Sequence, residues 1–409
     1  MKPTLTPPEP LKGSDPNSFA QSTIKERLPR MIDRIIKEEG FSIEIRSSLQ
    51  KLKEDIPSSP IRFLGDYQAP DTDNWNRHID RYLKNDWLTV PWFFAETYFY
   101  RRILEATQYF IDGESYNQDP FSMEKRRSLR QDWNKIQSVV RTLYSPGAPA
   151  EEPVNEFSKY IYTALWGNQA DLSMWSSASG LQPTTEISNQ SKFLLIDDCQ
   201  SVYSYLSSLP AGPERIDFIL DNIGLELLGD LCLADYLLER HPSLKVIFRS
   251  KAHPTFVSDA IHSDVILMIE NLSSDHFPAT SALGIRLQTH LYKERLILTS
   301  DDFWTSPLGA WDMPQSLLEE LQQSSLVIWK GDANYRRLLG DRHWPYTTPF
   351  SDILSYAPTA FLAIRTLKAN VLSGLSEDKT QSLTKIDEDW MINGKWGLIQ
   401  FRGKDSWYR

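Results

Sequence analysis

The chain has 409 residues, of which 41% are apolar and 24% charged, and its net charge at neutral pH is -10. This length and apolar content are sufficient for two domains with sizeable cores. The phosphate backbones of DNA and RNA select basic surfaces, so an acidic chain with a pI near 5.3 is a poor match for them. We therefore expect no nucleic-acid partner, although a local basic pocket for a small anion is compatible with this charge.

The N-terminal segment, residues 1–20, is rich in proline and polar residues, and we predict an extended arm there. It lacks the apolar core of a signal peptide, and no apolar run reaches the ~20 residues that a membrane span needs. Cys199 and Cys232 lie beside apolar segments and form no disulfide or zinc pattern, which is typical of a reducing compartment. We expect a monomeric, cytoplasmic or nucleocytoplasmic protein with no membrane partner.

Helical periodicity dominates the first half of the chain, and we predict an N-terminal all-helical domain over residues 21–180. Glu96 is surrounded by apolar positions in its block and should need a cationic partner. A polar segment near residues 170–190 marks the predicted boundary. The apolar and charged positions repeat at helical spacing in three blocks, at about 22–54, 74–110 and 120–165.

Short apolar runs alternate with helical stretches in the second half of the chain. This alternation predicts an α/β catalytic domain over residues 190–409, with a mainly parallel sheet flanked by helices in a Rossmann-like, three-layer arrangement. Ligands bind such sheets at the carboxyl ends of the strands. The predicted strands are 192–198, 216–222, 244–250, 265–270, 295–300, 325–330 and 360–366.

The second apolar run ends at Asp221 and Asn222, and Gly224 then permits a sharp turn into a helix that carries Glu226 in its first turn. Carboxylate and amide oxygens are the ligands that Mg²⁺, Mn²⁺ and Co²⁺ accept. For a single residue, helix capping by Asp221 or Asn222 is the alternative. Asp259, in the loop after the third run, joins this candidate metal site if neighbouring strand ends lie together.

The sixth run ends on Lys330, and residues 331–335 follow as a predicted turn of small and polar residues. A lysine at a strand end before a turn with free backbone amides is a phosphate site in physical terms. The spacing is not that of a P-loop, and no Gly-x-Gly-x-x-Gly follows a strand. The seventh run ends with Arg365 and Lys368, although Lys368 alone could be a solvated lysine. Oxygen ligands beside converging cations predict a metal-assisted reaction on a phosphate ester.

Four motifs, in this order, resemble the metal-dependent damage-control phosphatase family, long catalogued only as a domain of unknown function. They are Asp-Asn-x-Gly-x-Glu (221–226), Phe-Val-Ser-Asp (256–259), Lys-Gly-Asp-x-Asn-Tyr-Arg (330–336) and Arg-Thr-x-Lys (365–368). The last motif resembles the branch linked to sugar phosphates, which has also been described as a protein carboxyl methyltransferase acting on acidic residues. In the helical half, PLKGSDPNSFAQSTIKERLP, PWFFAETYFYRR and ALWGNQADLS resemble that branch as well.

The resemblance implies one divalent metal ion, Mn, Co, Ni or Mg, held by Asp221, Asn222 and Asp259, with Glu226 completing the catalytic set. It implies substrate contacts from Glu226 and Lys368, and from the segment Asp332, Ala333, Asn334, Tyr335 and Arg336. Charge and position add Lys330 to these phosphate contacts. Asn168 and Asp171 would line the pocket where the two halves meet, and an Asx turn that closes a helix is the alternative.

The predicted function is metal-dependent hydrolysis of small phosphomonoesters in metabolite damage control, with sugar phosphates such as fructose 1-phosphate or fructose 6-phosphate as substrates. One rival is an S-adenosylmethionine-dependent protein carboxyl methyltransferase, but the glycine-rich turn of common methyl-donor sites is missing. The other rival is a non-enzymatic sensor of a phosphorylated metabolite. An intact set of metal ligands disfavours the sensor, because binding alone does not need the metal.

Overall fold

The sheet has seven strands in the order β1-β7-β6-β5-β2-β3-β4. The computed structural model describes residues 2–38, 40–144, 152–167, 191–209 and 212–404. Five neighbouring strands, β2 to β6, run parallel, whereas β7 and its partner β1 run in the opposite direction. The strands are β1 Leu194–Asp197, β2 Arg215–Ile219, β3 Lys245–Lys251, β4 Leu296–Asp301, β5 Leu326–Lys330, β6 Phe361–Thr366 and β7 Gly397–Arg402.

The predicted α/β class with a mainly parallel sheet is confirmed, and six of the seven predicted strands coincide with observed strands. The prediction over 265–270 is wrong, because this run belongs to the helix His262–Ser273. Val265, Met268, Ile269 and Leu272 form its buried face at helical spacing. Strand β7, Gly397–Arg402, was not predicted.

Helices precede the sheet and also connect its strands. Those of the first half are α1 Phe19–Ser22, a π-helical turn Thr23–Arg27, α2 Leu28–Glu38, α3 Ile43–Asp55, α4 Thr72–Ile79, α5 Trp92–Ala106, α6 Ser122–Leu143 and α7 Pro153–Trp166. Those of the second half are α8 Cys199–Ser208, α9 Leu225–Arg240, α10 His262–Ser273, α11 Pro278–Tyr292, α12 Gln315–Gln322, α13 Gly331–Leu339, α14 Phe350–Ile353 and α15 Glu377–Ile386. Across the described ranges, none of these helices is both long and apolar enough to span a bilayer.

Side chains that alternate along the strands divide the core into two clusters, one on each face of the sheet. Val327 and Trp329 of β5 belong to the cluster that also contains the buried residues of α2, α3 and α5. Leu326 and Ile328 belong to the other cluster, with the buried residues of α7, α9, α10 and α11. Helices of the first half of the chain therefore cover both faces of the sheet. The domain boundary predicted near residues 170–190 lies outside the described residues.

Two buried ion pairs join the helical half to the sheet half near the carboxyl edge of the sheet. Glu96 of α5 pairs with Arg336 of α13, which supplies the cationic partner that its apolar surroundings require. Lys125 of α6 pairs with Asp264 at 2.7 Å and donates a hydrogen bond to the Asp259 carbonyl at 3.1 Å. The helical half is thereby linked directly to the loop that follows β3.

Candidate active site

The predicted site residues follow the carboxyl ends of four adjacent parallel strands. Strands β6, β5, β2 and β3 are neighbours in the sheet, so their ends meet at one edge. Asp221 and Asn222 follow β2, and Asp259 lies in the loop after β3. Helix α13 begins directly after β5, and Lys368 follows β6. The fold therefore brings together residues that lie far apart in the sequence.

Four oxygen-bearing side chains form a compact cluster at this edge. Asn222 Nδ2 donates to Asp221 Oδ2 at 2.7 Å and to Glu226 Oε2 at 3.0 Å. Asn222 also forms an isolated antiparallel bridge with Asp259, and the Ala260 amide donates to the Asp221 carbonyl at 2.7 Å. The three carboxylates are each 4% exposed or less, so the cluster concentrates negative charge away from solvent.

This cluster has the electrostatics of a cation site. Burial raises the pKa of Asp221 well above its usual range, Asp259 and Glu226 raise it further, and Lys251 and Lys368 offset part of the effect. Burial likewise raises the pKa of Asp259, against the opposing effect of Lys251. Asp221 Oδ1 accepts no hydrogen bond from the described residues, and Asp259 Oδ2 is approached only by the Lys251 ammonium, at 3.3 Å. A divalent cation would neutralise these carboxylates and occupy both oxygens.

The donor set of this cluster fits a hard divalent ion. Asp221 and Asp259 supply oxygen ligands toward a metal, which suits Mg²⁺, Mn²⁺, Co²⁺ or Ni²⁺. Asn222 turns its Nδ2 toward the carboxylates and its Oδ1 accepts from Ser258, so its amide would have to rotate to add a third oxygen. Within the described ranges, no group of three or more His, Cys, Asp or Glu side chains is placed to hold a metal. The candidate set is of a different kind, because an asparagine amide takes the third position. The residues present are therefore compatible with the metal that the sequence predicts.

Gly331 allows the first turn of α13 to approach Asp221 closely. Its φ angle is +79°, and a Cβ atom at this position would lie 1.9 Å from Asp221 Oδ2. Any larger residue would collide with the carboxylate and would strain the backbone. The sequence predicted a turn here, whereas the structure has a helix N-terminus, whose free amides also favour an anion.

Lys330 is a buried partner of two carboxylates. Its ammonium donates to the Ala164 carbonyl at 2.6 Å and lies 3.3 Å from Glu226 Oε1 and 3.1 Å from Asp230 Oδ1. Burial lowers the pKa of Lys330, but Asp230 and Glu226 outweigh it and leave the pKa raised. The contacts observed hold Glu226 in the cluster, and direct phosphate binding by Lys330 stays a prediction.

Lys251, at the end of β3, supplies a cation that the sequence analysis did not include in the site. Its ammonium lies 3.3 Å from Asp259 Oδ2 and donates to the Leu220 carbonyl and to Asn334 Oδ1. Asn334 Nδ2 in turn donates to the Leu220 carbonyl at 3.0 Å. Both side chains thus fix the backbone just before Asp221. The position of Lys251 at a strand end, like that of Lys330, was the sequence signal that could have placed it in the site.

Asp332 positions the segment that carries Lys368. Its Oδ1 atom accepts hydrogen bonds from Arg365 Nε and from the Lys368 backbone amide, both at 2.9 Å. The Lys368 side chain is half-buried, and its ammonium makes no hydrogen bond or ion pair with the described residues. Because Lys368 lowers the pKa of Asp221, its charge reaches the cluster. Lys368 is therefore a cation beside the site that is available to a ligand.

The remaining predicted substrate contacts lie on α13 or outside the described residues. Ala333 is half-buried in the first turn, whereas Tyr335 is buried and donates to Gln400 at 2.7 Å. Arg336 is buried against Glu96, Asp341 and the Trp92 ring. Their substrate contacts stay predictions, and the partners observed are protein groups. Asn168 and Asp171 lie outside the described residues.

The loop that carries Asp259 has a strained backbone. Phe256 and Val257 have φ angles of 46° and 67°, a region that β-branched residues rarely enter and that costs ~1–3 kcal/mol. The Phe256 ring lies 4.9 Å from the Tyr100 ring and 6.2 Å from the Phe93 ring, both on α5. We infer that this packing offsets the strain and so places Asp259 in the cluster.

Replacing Phe256 by alanine should therefore weaken divalent-metal binding by about tenfold or more, as loss of a ligand-orienting contact does. Adding Val257→Gly should restore affinity to within about threefold of wild type, because glycine adopts positive φ without steric cost. Calorimetric titration with Mn²⁺ measures both effects, and thermal unfolding reports any general destabilisation. Equal affinities of the single and double variants would show that strain at Val257 does not govern the position of Asp259.

Fold and site together define an α/β protein with an oxygen-rich cluster at the carboxyl edge of its sheet and cations around it. Residues 23–383 match the family described as damage-control phosphatase ARMT1-like domain. The damage-control phosphatase ARMT1 of Mus musculus is 33% identical over 433 residues, covering 96% of this chain and 98% of that protein. The Danio rerio protein of the same name is 33% identical over 440 residues, covering 97% of each chain.

The chain belongs to the ARMT1-like damage-control phosphatase family, which confirms the resemblance carried by its motifs. Homo sapiens damage-control phosphatase ARMT1 is 31% identical over 439 residues, covering 97% of this chain and 99% of that protein. A solved DUF89 family protein from Pyrococcus horikoshii aligns with 92% of this chain and 96% of that chain, at a TM-score of 0.47 and 14% identity.

Proposed function

We propose that the protein is a metal-dependent phosphatase that hydrolyses small phosphomonoesters, with sugar phosphates such as fructose 1-phosphate and fructose 6-phosphate as its substrates. Membership of a damage-control phosphatase family supports phosphatase activity in metabolite repair. The observation that carries the proposal is the buried oxygen cluster next to Lys368. Carboxylates that need a cation lie beside a lysine that is free to bind an anion, which is the pairing that phosphoryl transfer requires.

Asp221, Asn222 and Asp259 would hold the metal, which when bound supplies Lewis acidity toward a phosphoryl oxygen. Glu226 keeps Asn222 in place through its Oε2 contact, and Lys330 fixes Glu226 from the opposite side. Lys251 holds Asp259 and the backbone before Asp221. The protein thereby fixes the ligand set before substrate arrives, which limits the reorganisation needed during reaction.

Substrate orientation would come from Lys368 and the first turn of α13. The Lys368 ammonium offsets charge on the phosphoryl group, and its position is fixed through Asp332. The free amides at the start of α13 face the same edge of the sheet, where a helix N-terminus favours an anion. These cationic and dipolar groups would bind the phosphate of the substrate. The sugar part of the substrate, which carries the hydroxyls, would lie beyond them.

The direct test is phosphate release from a panel of phosphomonoesters by the chelated protein with each divalent metal added in turn. The panel contains fructose 1-phosphate, fructose 6-phosphate, other sugar phosphates, nucleoside monophosphates and a phosphopeptide. We expect the highest kcat/KM for a fructose phosphate. Preference for the nucleotide or the peptide would overturn the substrate class, and the absence of phosphate release with every metal would overturn the phosphatase.

Lys368→Ala should lower kcat and raise KM for the sugar phosphate together, because it removes a charge that contacts the phosphoryl group before and during reaction. We expect a combined loss in kcat/KM of at least ~30-fold, about 2 kcal/mol of transition-state stabilisation. Lys385→Ala, which removes an exposed lysine from α15, is the matched control and should leave kinetics unchanged.

The same pair of variants discriminates the proposed phosphatase from a carboxyl methyltransferase. Because the phosphatase proposal places Lys368 on the phosphoryl group, calorimetric titration with a methyl donor should show no binding that depends on Lys368. Unchanged phosphatase kinetics in Lys368→Ala, combined with weakened donor binding, would favour the methyltransferase over the phosphatase.

A further inference from the structure

Asp230 is a buried carboxylate that lies one turn beyond Glu226 on the same face of α9. It is 1% exposed and belongs to none of the four motifs that carry the family resemblance. Its Oδ1 atom lies 3.1 Å from the Lys330 ammonium, whereas its Oδ2 atom accepts no hydrogen bond from the described residues. Within this part of the chain, Lys330 is therefore the cation through which Asp230 can act on the site.

Asp230 and Glu226 are two buried acids that share one buried lysine. Burial raises the pKa of Asp230 to about 7, with Lys330 acting against this shift and Glu226 in the same direction. The ionised carboxylate therefore destabilises the fold, fully above pH 7 and not at all once the pH falls below the ordinary value of 3.8. A buried acid that destabilises the fold beside a cluster of functional groups is a candidate for a functional role.

The Lys330 ammonium has three N–H donors, and three oxygens surround it. They are the Ala164 carbonyl at 2.6 Å, Asp230 Oδ1 at 3.1 Å and Glu226 Oε1 at 3.3 Å. One oxygen for each donor fixes the position of the ammonium, because a lysine has no further donor to offer. The charge of Lys330 is thereby divided between the two carboxylates.

The Ala164 carbonyl reaches Lys330 because α7 and α9 approach each other closely. Gly229, next to Asp230, makes this approach possible, since a Cβ atom there would lie 2.7 Å from both Ala164 Cα and the Thr163 carbonyl oxygen. The carbonyl and Asp230 therefore belong to one closely packed helix pair. The ammonium cannot move toward the oxygen cluster without leaving both of these acceptors.

The charge of Lys330 is within electrostatic reach of the oxygen cluster. Burial lowers the pKa of Lys330, whereas Asp230 and Glu226 raise it, and Asp221 raises it as well. A cation in this position repels a divalent metal and cancels part of the attraction that Glu226 exerts on that metal. Asp230 offsets the cation, so the cluster keeps its negative potential.

We propose that Asp230 is a positioning residue for the metal site, which holds the Lys330 ammonium and balances its charge so that Glu226 stays an anionic member of the oxygen cluster. Without the charge of Asp230, Glu226 alone would neutralise Lys330, and the cluster would attract a divalent cation less strongly. The inference rests on the proposed function in that the metal is the one that the phosphatase would use. Its test needs no substrate.

The experiment is calorimetric titration of the metal-free, full-length protein with Mn²⁺. Asp230→Asn keeps the shape of the side chain and an oxygen that can accept from Lys330, so it removes only the charge. We expect Mn²⁺ affinity to fall at least ~10-fold, as it does for other residues that support a metal site from behind its ligands. The double variant Asp230→Asn/Lys330→Gln removes both charges and keeps groups that can hydrogen-bond, so its affinity should return to within ~3-fold of wild type.

Glu239→Gln is the matched control, because it removes one negative charge from an exposed position on the same helix. It should change Mn²⁺ affinity by less than ~2-fold, since solvent and salt screen an exposed charge. Thermal unfolding of the metal-free proteins near pH 8 is the second measurement. Asp230→Asn should unfold at no lower temperature than wild type, because it removes the cost of a buried carboxylate and leaves Lys330 paired with Glu226.

Three results would overturn the proposal. Wild type that binds no Mn²⁺ would leave Asp230 without a metal site to support. Equal affinities of wild type and Asp230→Asn would show that the charge does not act on the site. A double variant that binds as weakly as Asp230→Asn would show that the loss does not arise from an unbalanced Lys330. Wild type that gives the expected pattern of affinities but releases no phosphate would support the role of Asp230 and overturn the phosphatase alone.

Discussion

Asp221→Asn should lower phosphate release by at least ~100-fold, about 2.7 kcal/mol of activation barrier. The substitution removes one of the two charged ligands proposed for the metal and keeps the shape of the side chain. It also removes a buried charge next to Asp259 and Glu226, so the metal-free variant should be as stable as wild type or more stable. Steady-state kinetics and metal-free thermal unfolding measure the two effects. Asp259→Asn should behave in the same way.

Asp301→Asn is a suitable control for this loss. Asp301 ends the edge strand β4, also at the carboxyl edge, but it belongs to no contact of the oxygen cluster. Its Oδ1 atom accepts the Phe303 amide at 2.7 Å, and an asparagine oxygen can accept the same bond. We expect kinetics within about twofold of wild type, as for surface substitutions generally. A folded Asp221→Asn protein that turns over like this control would refute the assignment of the site.

The sequence was sufficient to predict which strand ends carry much of the candidate site, because Asp221, Asn222 and Lys368 come at or just after the end of a visible apolar run. Parallel strands buried on both faces appear as uninterrupted apolar segments, and their carboxyl ends share one edge. Asp221, Asn222 and Lys368 could therefore be assigned to one place without knowledge of the strand order. The order β6-β5-β2-β3 then brings them together, and strand order depends on long-range pairing that no local pattern encodes.

Side-chain partners were less predictable than positions. Lys330 was assigned to phosphate from its charge, but its ammonium pairs with Glu226 and Asp230. These two acids are four residues apart on the largely buried helix α9, so they share one face and required a buried cation. The four-residue spacing of Glu226 and Asp230 could therefore have predicted a buried cationic partner from the sequence. The contacts that link Lys251 with Asp259 depend on the loop conformation, which the sequence does not reveal.

The two errors in strand assignment have different physical origins. The run 265–270 is as apolar as a strand, and a short apolar run does not discriminate a strand from one face of a helix. Asp264 decides the outcome locally, because its side chain accepts the Ile261 amide and caps the helix that follows. Strand β7 contains Gln400 and Arg402, which are buried through bonds to distant carbonyls. Tertiary partners that satisfy such polar groups have no local sequence signature.

Removal of divalent metal should abolish phosphate release completely, and Co²⁺, Mn²⁺ or Ni²⁺ should restore it. The reason is that the oxygen cluster buries three carboxylates: Asp259 and Glu226 each contact a lysine, whereas Asp221 forms no ion pair with the described residues. A second readout is independent of activity. Metal that binds only the folded protein at 100 times its Kd adds about 2.7 kcal/mol of stability, so the thermal midpoint should rise on addition of metal.

The variant Asp221→Asn provides the control for metal binding itself, since it should lose most of this thermal shift along with its activity. Lys368→Ala should retain the shift, because its charge is placed to act on the substrate and not to hold the metal. The pattern of shifts therefore separates ligands of the ion from contacts of the phosphate. Full activity of the wild-type protein in excess chelator would exclude a metal mechanism, and an equal shift in wild type and Asp221→Asn would place the metal elsewhere in the molecule.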